Sequence, residues 1–338
     1  LRETPHSIIE PDPVVGFFIE GNTMRTALQR ADSPAPRWTE PALWHAVGQT
    51  PLLPVPWTGA PGAALWVKAE WLNPGGSVKD RPARAILRDG VRFGDLPGRR
   101  LLDASSGNTA IAYAMLGAAA KVGITVCVPA NASRERQQLL QVYGAEVILT
   151  DPLDGTDGAI LRARELVAQD PDRYWYADQY NNPANVRAHW ESTGPEIWSQ
   201  TNGRVTHLVA GLGTTGTLMG AGGYLKTRNS RVKLIGVQPD SPLHGLEGLK
   251  HLATTANVPG IFDPALPDRV VEVATEAADA TARALAREAG YLVGWSSGAV
   301  VHTARKILET EPGACVVAIG SDSGMRYLSE PHRWKETP

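Results

Sequence analysis

From residue 45 onward, short apolar runs rich in β-formers alternate with longer stretches of helical pattern, and this alternation limits the fold more than any other feature. "AALWVKAEW" (63–71) reads as a strand and "RPARAILRDGVRFG" (81–94) as a helix. "RRLLDAS" leads into the helix "NTAIAYAMLGAAA", "GITVCVPA" into "SRERQQLLQVYG", and "AEVILTD" into "DGAILRARELVAQ". Further on, strand "VTHLVAGL" is followed by helix "TGTLMGAGGYLK" and strand "KLIGVQP". Helix "ATARALAREAG", strand "YLVGWSS", helix "GAVVHTARKILE" and strand "ACVVAIG" complete the pattern. Strands that alternate with helices predict parallel-rich α/β sheets covered on both faces. The 338 residues suggest two domains at about 150 residues each, with a boundary near residue 182 in the "NNPAN" turn. Residues 1–44, rich in Pro and charge and without a period, read as an extension that wraps the surface or meets a partner subunit.

Charge and cysteine content narrow the function. A formal net charge of −2 gives no electrostatic reason to bind nucleic acid or an anionic membrane, so a small-molecule substrate is expected. Cys127 and Cys315 lie in apolar strand-like runs, and no C-x-x-C occurs; neither a disulfide framework nor a metal site is expected. The longest apolar run, 110–120, is too short for a membrane span. No secretory signal is visible, and the cytoplasm is the expected compartment.

Three loops each suggest a chemistry. "GLGTTGTLMG" (211–220) contains G-x-G-x-x-G after a strand and before a helix, as a phosphate-binding loop does. Asp240 stands near the position of a Rossmann acid. The hydroxyls of Thr214, Thr215 and Thr217 suit a terminal phosphate better than a pyrophosphate, so phosphate, dinucleotide and plain packing glycines all remain open. "GWSSG" (294–298) has the form of a nucleophile elbow, with Asp322 and His332 in hydrolase order; these lie in a short tail with little room for the strands of a triad, so a plain strand-to-helix turn is the preferred reading. "NPGGSVKDRP" (73–82) sets Lys79 where a helix begins. The positive end of the helix dipole and partial burial both disfavour an ammonium there, leaving the free amine that a Schiff base requires.

One cofactor, pyridoxal 5′-phosphate, needs a lysine for its aldehyde, a phosphate cradle and a partner for its ring nitrogen. Taken in order, "VGQTPL", "NPGGSVKDRP", "SSGNTAIAYA", "DQYNNPAN", "GLGTTGTLMG", "GWSSGAV" and "SDSGMRYLS" resemble the cysteine synthase and cystathionine β-synthase family of fold-type II pyridoxal-phosphate enzymes, including its B-type members. The resemblance implies a tryptophan-synthase-β-like α/β fold, with an N-terminal domain over 45–182 whose first segment crosses to the other domain, and a C-terminal domain over 183–338. It implies that Lys79 forms the Schiff base and is the catalytic base. Gly213, Thr214, Thr215, Gly216 and Thr217 would hold the phosphate, Ser296 the pyridine nitrogen and Asn108 the 3′-oxygen. Ser105, Ser106, Asn108, Thr109 and Gln179 would bind the substrate carboxylate. The implied reaction is β-replacement through an α-aminoacrylate, from O-acetyl-L-serine and sulfide to L-cysteine and acetate, in a homodimer.

Several positions depart from the family pattern. Ser105 stands for Thr, Ala110 for Gly, and Trp295 for a small aliphatic beside the pyridine anchor, where it is expected to reshape the pocket. Gly223 occupies the place of an arginine found in members that use O-phosphoserine, which favours a substrate without that phosphate. His244 reads as an ordinary surface histidine. Another amine or thiol as nucleophile is the nearest rival reading. A Rossmann oxidoreductase leaves Lys79 and "SSGNT" unexplained, and an inactive scaffold leaves the complete motif set unexplained.

Overall fold

The computed structural model describes residues 38–56, 60–105 and 107–335. Most of the expected extension, 1–44, and the expected substrate residue Ser106 lie outside the described residues.

Among the described residues the strands are β1 (Leu52–Pro54), β2 (Ala64–Ala69), β3 (Arg100–Ala104), β4 (Ile124–Pro129), β5 (Glu146–Thr150), β6 (Tyr174–Tyr176), β7 (His207–Gly211), β8 (Lys233–Pro239), β9 (Arg269–Val273) and β10 (Cys315–Gly320). They form a six-stranded sheet in the order β1-β2-β10-β7-β8-β9 and a four-stranded sheet in the order β5-β4-β3-β6. All pairings are parallel except β1 with β2. The expected parallel-rich α/β architecture is present. Its physical cause is visible in β4, where all six residues are buried, as a strand covered on both faces requires.

The main helices are α1 (Asp80–Arg92), α2 (Asn108–Ala120), α3 (Arg134–Val142), α4 (Gly155–Gln169), α5 (183–200), α6 (216–228), α7 (Thr275–Ala289) and α8 (Trp295–Thr310). Helix α2 is apolar all round and buried from Thr109 to Gly117, so it is a core helix. Helix α5 starts at Pro183, where Asn182 accepts a hydrogen bond from the Ala184 amide at 3.0 Å. No described helix is long and apolar enough to cross a membrane.

Sequence and structure differ in a few places. "YLVGWSS" forms no strand: Val293 makes a single bridge to Ser323, and α8 begins at Trp295. Only three residues precede Gly294, and β10 already carries a neighbour on each edge. Strands β1, β6 and β9 do not stand out in the pattern. β1 and β6 are three residues long, and β9 is a largely exposed edge strand.

A buried ion cluster joins β2, α1 and α5. Arg81 Nε and Nη2 donate to the two carboxylate oxygens of Glu70 at 2.6 and 2.7 Å. Arg81 Nη1 and Nη2 donate to Glu196 at 2.7 Å each, and Lys68 Nζ donates to the same carboxylate at 2.6 Å. Burial alone would raise the Glu70 pKa, but the Arg81 guanidinium holds it at about 2. Removing one member leaves uncompensated buried charge. Arg81→Met is expected to lower unfolding free energy in urea by about 3–5 kcal/mol; a loss below about 1 kcal/mol would show that the cluster behaves like a surface ion pair.

Candidate active site

Lys79 sits at the N-cap of α1, after a turn that Gly76 closes with φ +77 and a bond to the Asn73 carbonyl at 2.8 Å. An antiparallel bridge from Ser77 to Asp322, with a bond from the Val78 amide to the Ser321 carbonyl at 2.8 Å, fixes this turn to the segment after β10. The side chain is partly buried, and burial pushes its pKa down to about 8. Its Nζ lies 3.2 Å from Thr214 Oγ1. The lysine and the expected phosphate loop, 135 residues apart in sequence, therefore meet.

Residues 213–217 run from the turn after β7 into the first turn of α6. Thr215 adopts φ +70, a region that a β-branched residue rarely enters. Its hydroxyl is buried with no hydrogen-bond partner. A Cβ on Gly213 would lie 2.1 Å from the Gly248 carbonyl oxygen, and one on Gly216 would lie 2.0 Å from Asn185 Oδ1. Only glycine fits at either position. Thr214 Oγ1 also accepts a bond from Asn185 Nδ2 at 3.1 Å. Thr217 Oγ1 is 3.2 Å from His189 Nε2, and His189 Nδ1 is 2.8 Å from Thr193 Oγ1. Burial, helped by the Arg81 charge, pushes the His189 pKa to about 3, so this imidazole is neutral. A strained turn, an unpaired hydroxyl and the first amides of α6 form a concave donor set of the kind that holds a phosphate.

The second loop joins β3 to α2. Ser105 Oγ accepts from the Gly107 amide at 3.3 Å. Thr109 Oγ1 donates to Gln179 Oε1 at 2.8 Å, and Gln179 Nε2 donates to the Ala104 carbonyl at 3.0 Å. Asn108 Nδ2 donates to Asp322 Oδ2 at 2.8 Å, while Asn108 Oδ1 accepts from Arg326 Nη1 at 2.5 Å. These contacts fix the orientation of the Asn108 amide. Arg326 also donates to the Gly75 carbonyl, so it ties the Lys79 turn to this loop.

A cavity of about 630 Å³ brings together Lys79, Ser105, Asn108, Thr109, Gln179 and Thr214. Ser296 is buried in the first turn of α8 and is not among the side chains that line the open cavity. The neighbouring Ser297 Oγ accepts from the Ser321 amide at 2.9 Å, next to the segment that bridges Ser77. One amine with a lowered pKa, a phosphate cradle and a set of anion donors thus fit pyridoxal 5′-phosphate with an amino acid beside it.

The expectations for Trp295 and His244 need correction. Trp295 does not shape the cavity. It is buried against Trp334 at a ring separation of 4.2 Å, and the Arg333 guanidinium carbon lies 4.2 Å from its ring. An indole beside Gly294 finds its apolar contacts in the C-terminal segment. His244 is half-buried and lines the cavity, and its Nδ1 accepts from the Leu246 amide at 3.0 Å. The hydrolase arrangement is absent: His332 is exposed, and Asp322 Oδ2 accepts from Asn108 and from the Tyr327 hydroxyl. Asp240 is exposed at the end of β8. Sequence reasoning passed over Asn185, His189, Arg326, Arg136 and Glu247. Asn185 and Arg326 stood inside quoted motifs, whereas Arg136 and His189 carry no local signal.

Comparison with known proteins agrees with this geometry. The model of the family described as "Pyridoxal-phosphate dependent enzyme" matches residues 43–322. The cysteine synthase of Aquifex aeolicus (strain VF5) is 48% identical over 292 residues, 84% of this chain and 89% of that protein. Cysteine synthase B of Salmonella typhimurium is 40% identical over 289 residues, 85% of this chain and 94% of that protein. The crystal structure of cysteine synthase from Entamoeba histolytica superposes with a TM-score of 0.82 at 32% identity, covering 90% of this chain and 94% of that one. A lysine facing a phosphate cradle, in this fold and with these relatives, means that the chain belongs to the pyridoxal-phosphate dependent enzymes, in their cysteine synthase group.

Proposed function

We propose that this enzyme makes L-cysteine and acetate from O-acetyl-L-serine and sulfide. The observation that carries the reading is the single cavity in which Lys79, the Thr214 hydroxyl and the Ser105–Gln179 donors converge. Relatives named cysteine synthase, matched over most of their length, support the same substrate class. Gly223 is buried, and a Cβ there would lie 3.0 Å from the Trp190 ring, so the position offers no cation for a second substrate phosphate.

In this reading Lys79 would carry the cofactor's aldehyde, and Gly213, Thr214, Thr215, Gly216 and Thr217 would hold its phosphate. Asn108 would hold the 3′-oxygen and Ser296 the ring nitrogen. The bound cofactor supplies an electron sink for charge that develops at the amino-acid Cα. Ser105, Ser106, Asn108, Thr109 and Gln179 hold the substrate carboxylate; for Thr109 and Gln179 this means exchanging their mutual bond for one to the anion. Lys79 Nζ, freed by the incoming amino group, takes the Cα proton and later returns it. Its lowered pKa suits a base that must work near neutrality. Ser296 is neutral and would not hold a proton on the ring nitrogen as a carboxylate does, so it would favour prompt loss of the leaving group. We further propose that the two sheets mark the two domains, 45–182 and 183–338, with β1 and β2 crossing to the larger sheet. A cytoplasmic homodimer is likewise our reading.

The direct test is the appearance of L-cysteine from O-acetyl-L-serine and sulfide; a protein that releases none, but turns over another β-substituted amino acid, would replace the substrate named here. Attachment of pyridoxal phosphate to the apoprotein, followed by absorbance, is expected to rise about tenfold per pH unit below pH 8 and to level off above it. Only the free amine reacts, and a lysine with a lowered pKa is deprotonated above about 8; a rise that continues past pH 10 would mean an unshifted lysine. Ser296→Asp should lower kcat by on the order of tenfold, equivalent to about 1.4 kcal/mol in barrier; an unchanged kcat would remove Ser296 from the ring nitrogen.

A further inference from the structure

Arg136, in the first turn of α3, lines the same cavity as Lys79 and Asn108 but has no part in the scheme above. It is 6% exposed. Its Nη1 is ion-paired with Glu247, from the loop after β8, and its Nε is buried without a hydrogen-bond partner. The guanidinium carbon lies 5.3 Å from the Tyr327 ring centroid, and Tyr327 bonds the carboxylate that holds Asn108. A Cβ on Gly107 would come within 3.9 Å of Arg136 and 3.6 Å of Glu247, so the pair stands directly over the loop that binds substrate. Lys250, another cation of the cavity wall, is already engaged by Asp157 at 3.0 Å, Thr255 at 3.2 Å and the ring of Tyr180 at 5.1 Å. Arg136 alone of these two keeps an unused buried donor.

We propose that Arg136 receives the carboxylate that departs from the substrate Cβ, exchanging it for Glu247. The assignment rests on the reading of the reaction given above. In the elimination, the Cα proton goes to Lys79 Nζ and its electron pair becomes the second Cα–Cβ bond. The Cβ–O bond breaks, and that pair leaves on the carboxylate oxygen. Negative charge therefore develops on a planar, two-oxygen group, which a guanidinium fork matches and an ammonium does not. In a site this buried, a fixed cation interacts with that charge far more strongly than in water. Glu247 is 35% exposed and returns to solvent at little cost, and the exchange never leaves the buried guanidinium unpaired. Arg136 thereby selects an acyl-ester leaving group.

The test compares wild-type holoenzyme with Arg136→Gln on O-acetyl-L-serine and on 3-chloro-L-alanine, reading the elimination half-reaction by stopped-flow absorbance. Both substrates break a bond at the same Cβ, but chloride is spherical and offers nothing to a fork. The variant is expected to lose at least about tenfold with the acetyl ester and to stay within about twofold with the chloride. Arg136→Lys, which keeps the charge but not the fork, should fall between wild type and Arg136→Gln with the ester and serves as the variant if the glutamine protein does not fold. Calorimetric titration of wild-type holoenzyme with acetate should show binding that Arg136→Gln lacks. Equal losses on both substrates, no loss on either, or acetate binding unaffected by the substitution would overturn the assignment alone. A wild-type enzyme idle on both substrates would overturn the reading of the reaction, and this assignment with it.

Discussion

A guanidinium held out of water between two carboxylates anchors everything that follows. Arg81 grips Glu70, in the turn after β2, and Glu196, on α5, with four hydrogen bonds of 2.6–2.7 Å. Because it lies two residues after Lys79, it fixes the start of α1 relative to both the larger sheet and the helix that leads back to it. Such a cluster contributes little net stability beside an apolar core, since each charge must be desolvated. Its effect is on position: Lys79 cannot shift without pulling Arg81 from its two partners.

Around that fixed amine the fold arranges two loops, one after β3 and one after β7, which we propose bind the substrate carboxylate and the cofactor phosphate. Both lie at the carboxyl ends of parallel strands, where α/β sheets place ligands. Their separation comes from topology. The chain leaves the larger sheet after β2, builds the smaller one, and returns through α5 to β7. Lys79 precedes the first loop and faces the second. Charge is distributed to suit. His189, behind the phosphate loop, is neutral, and burial pushes the Asp322 carboxyl behind Asn108 upward. The cations that remain at the cavity wall, Arg136 and Lys250, are each paired with an acid from the opposite side of the opening. They bring charge to the site without leaving it unbalanced.

Much of this was legible in the sequence because the chemistry needs particular residues at particular turns. Lys79 stood at a Gly-Gly-Ser turn before a helix, and the glycines and threonines of 213–217 stood out between a strand and a helix, where the structure places a tight turn facing Lys79. The periodic strands of the sheet interiors were visible because burial on both faces leaves continuous apolar runs. Short or exposed strands such as β6 and β9 carry no such signal. Trp295 was misread because adjacency in sequence to Ser296 says nothing about direction. On α8 the indole packs against Trp334 and Arg333 and not on the cavity wall. Arg136 and Glu247 were invisible for another reason. Their meaning depends on a contact across 111 residues, and an isolated Arg or Glu on a polar helix face or loop reads as solvated.

The proposed chemistry depends on one covalent position. Borohydride reduction of the holoenzyme, followed by proteolysis and mass spectrometry of the fragments, tests it most directly. The cofactor is expected on the peptide that contains Lys79 and on no other. Label on Lys68 or Lys250, or a protein that retains pyridoxal phosphate without any reducible link to lysine, would contradict it.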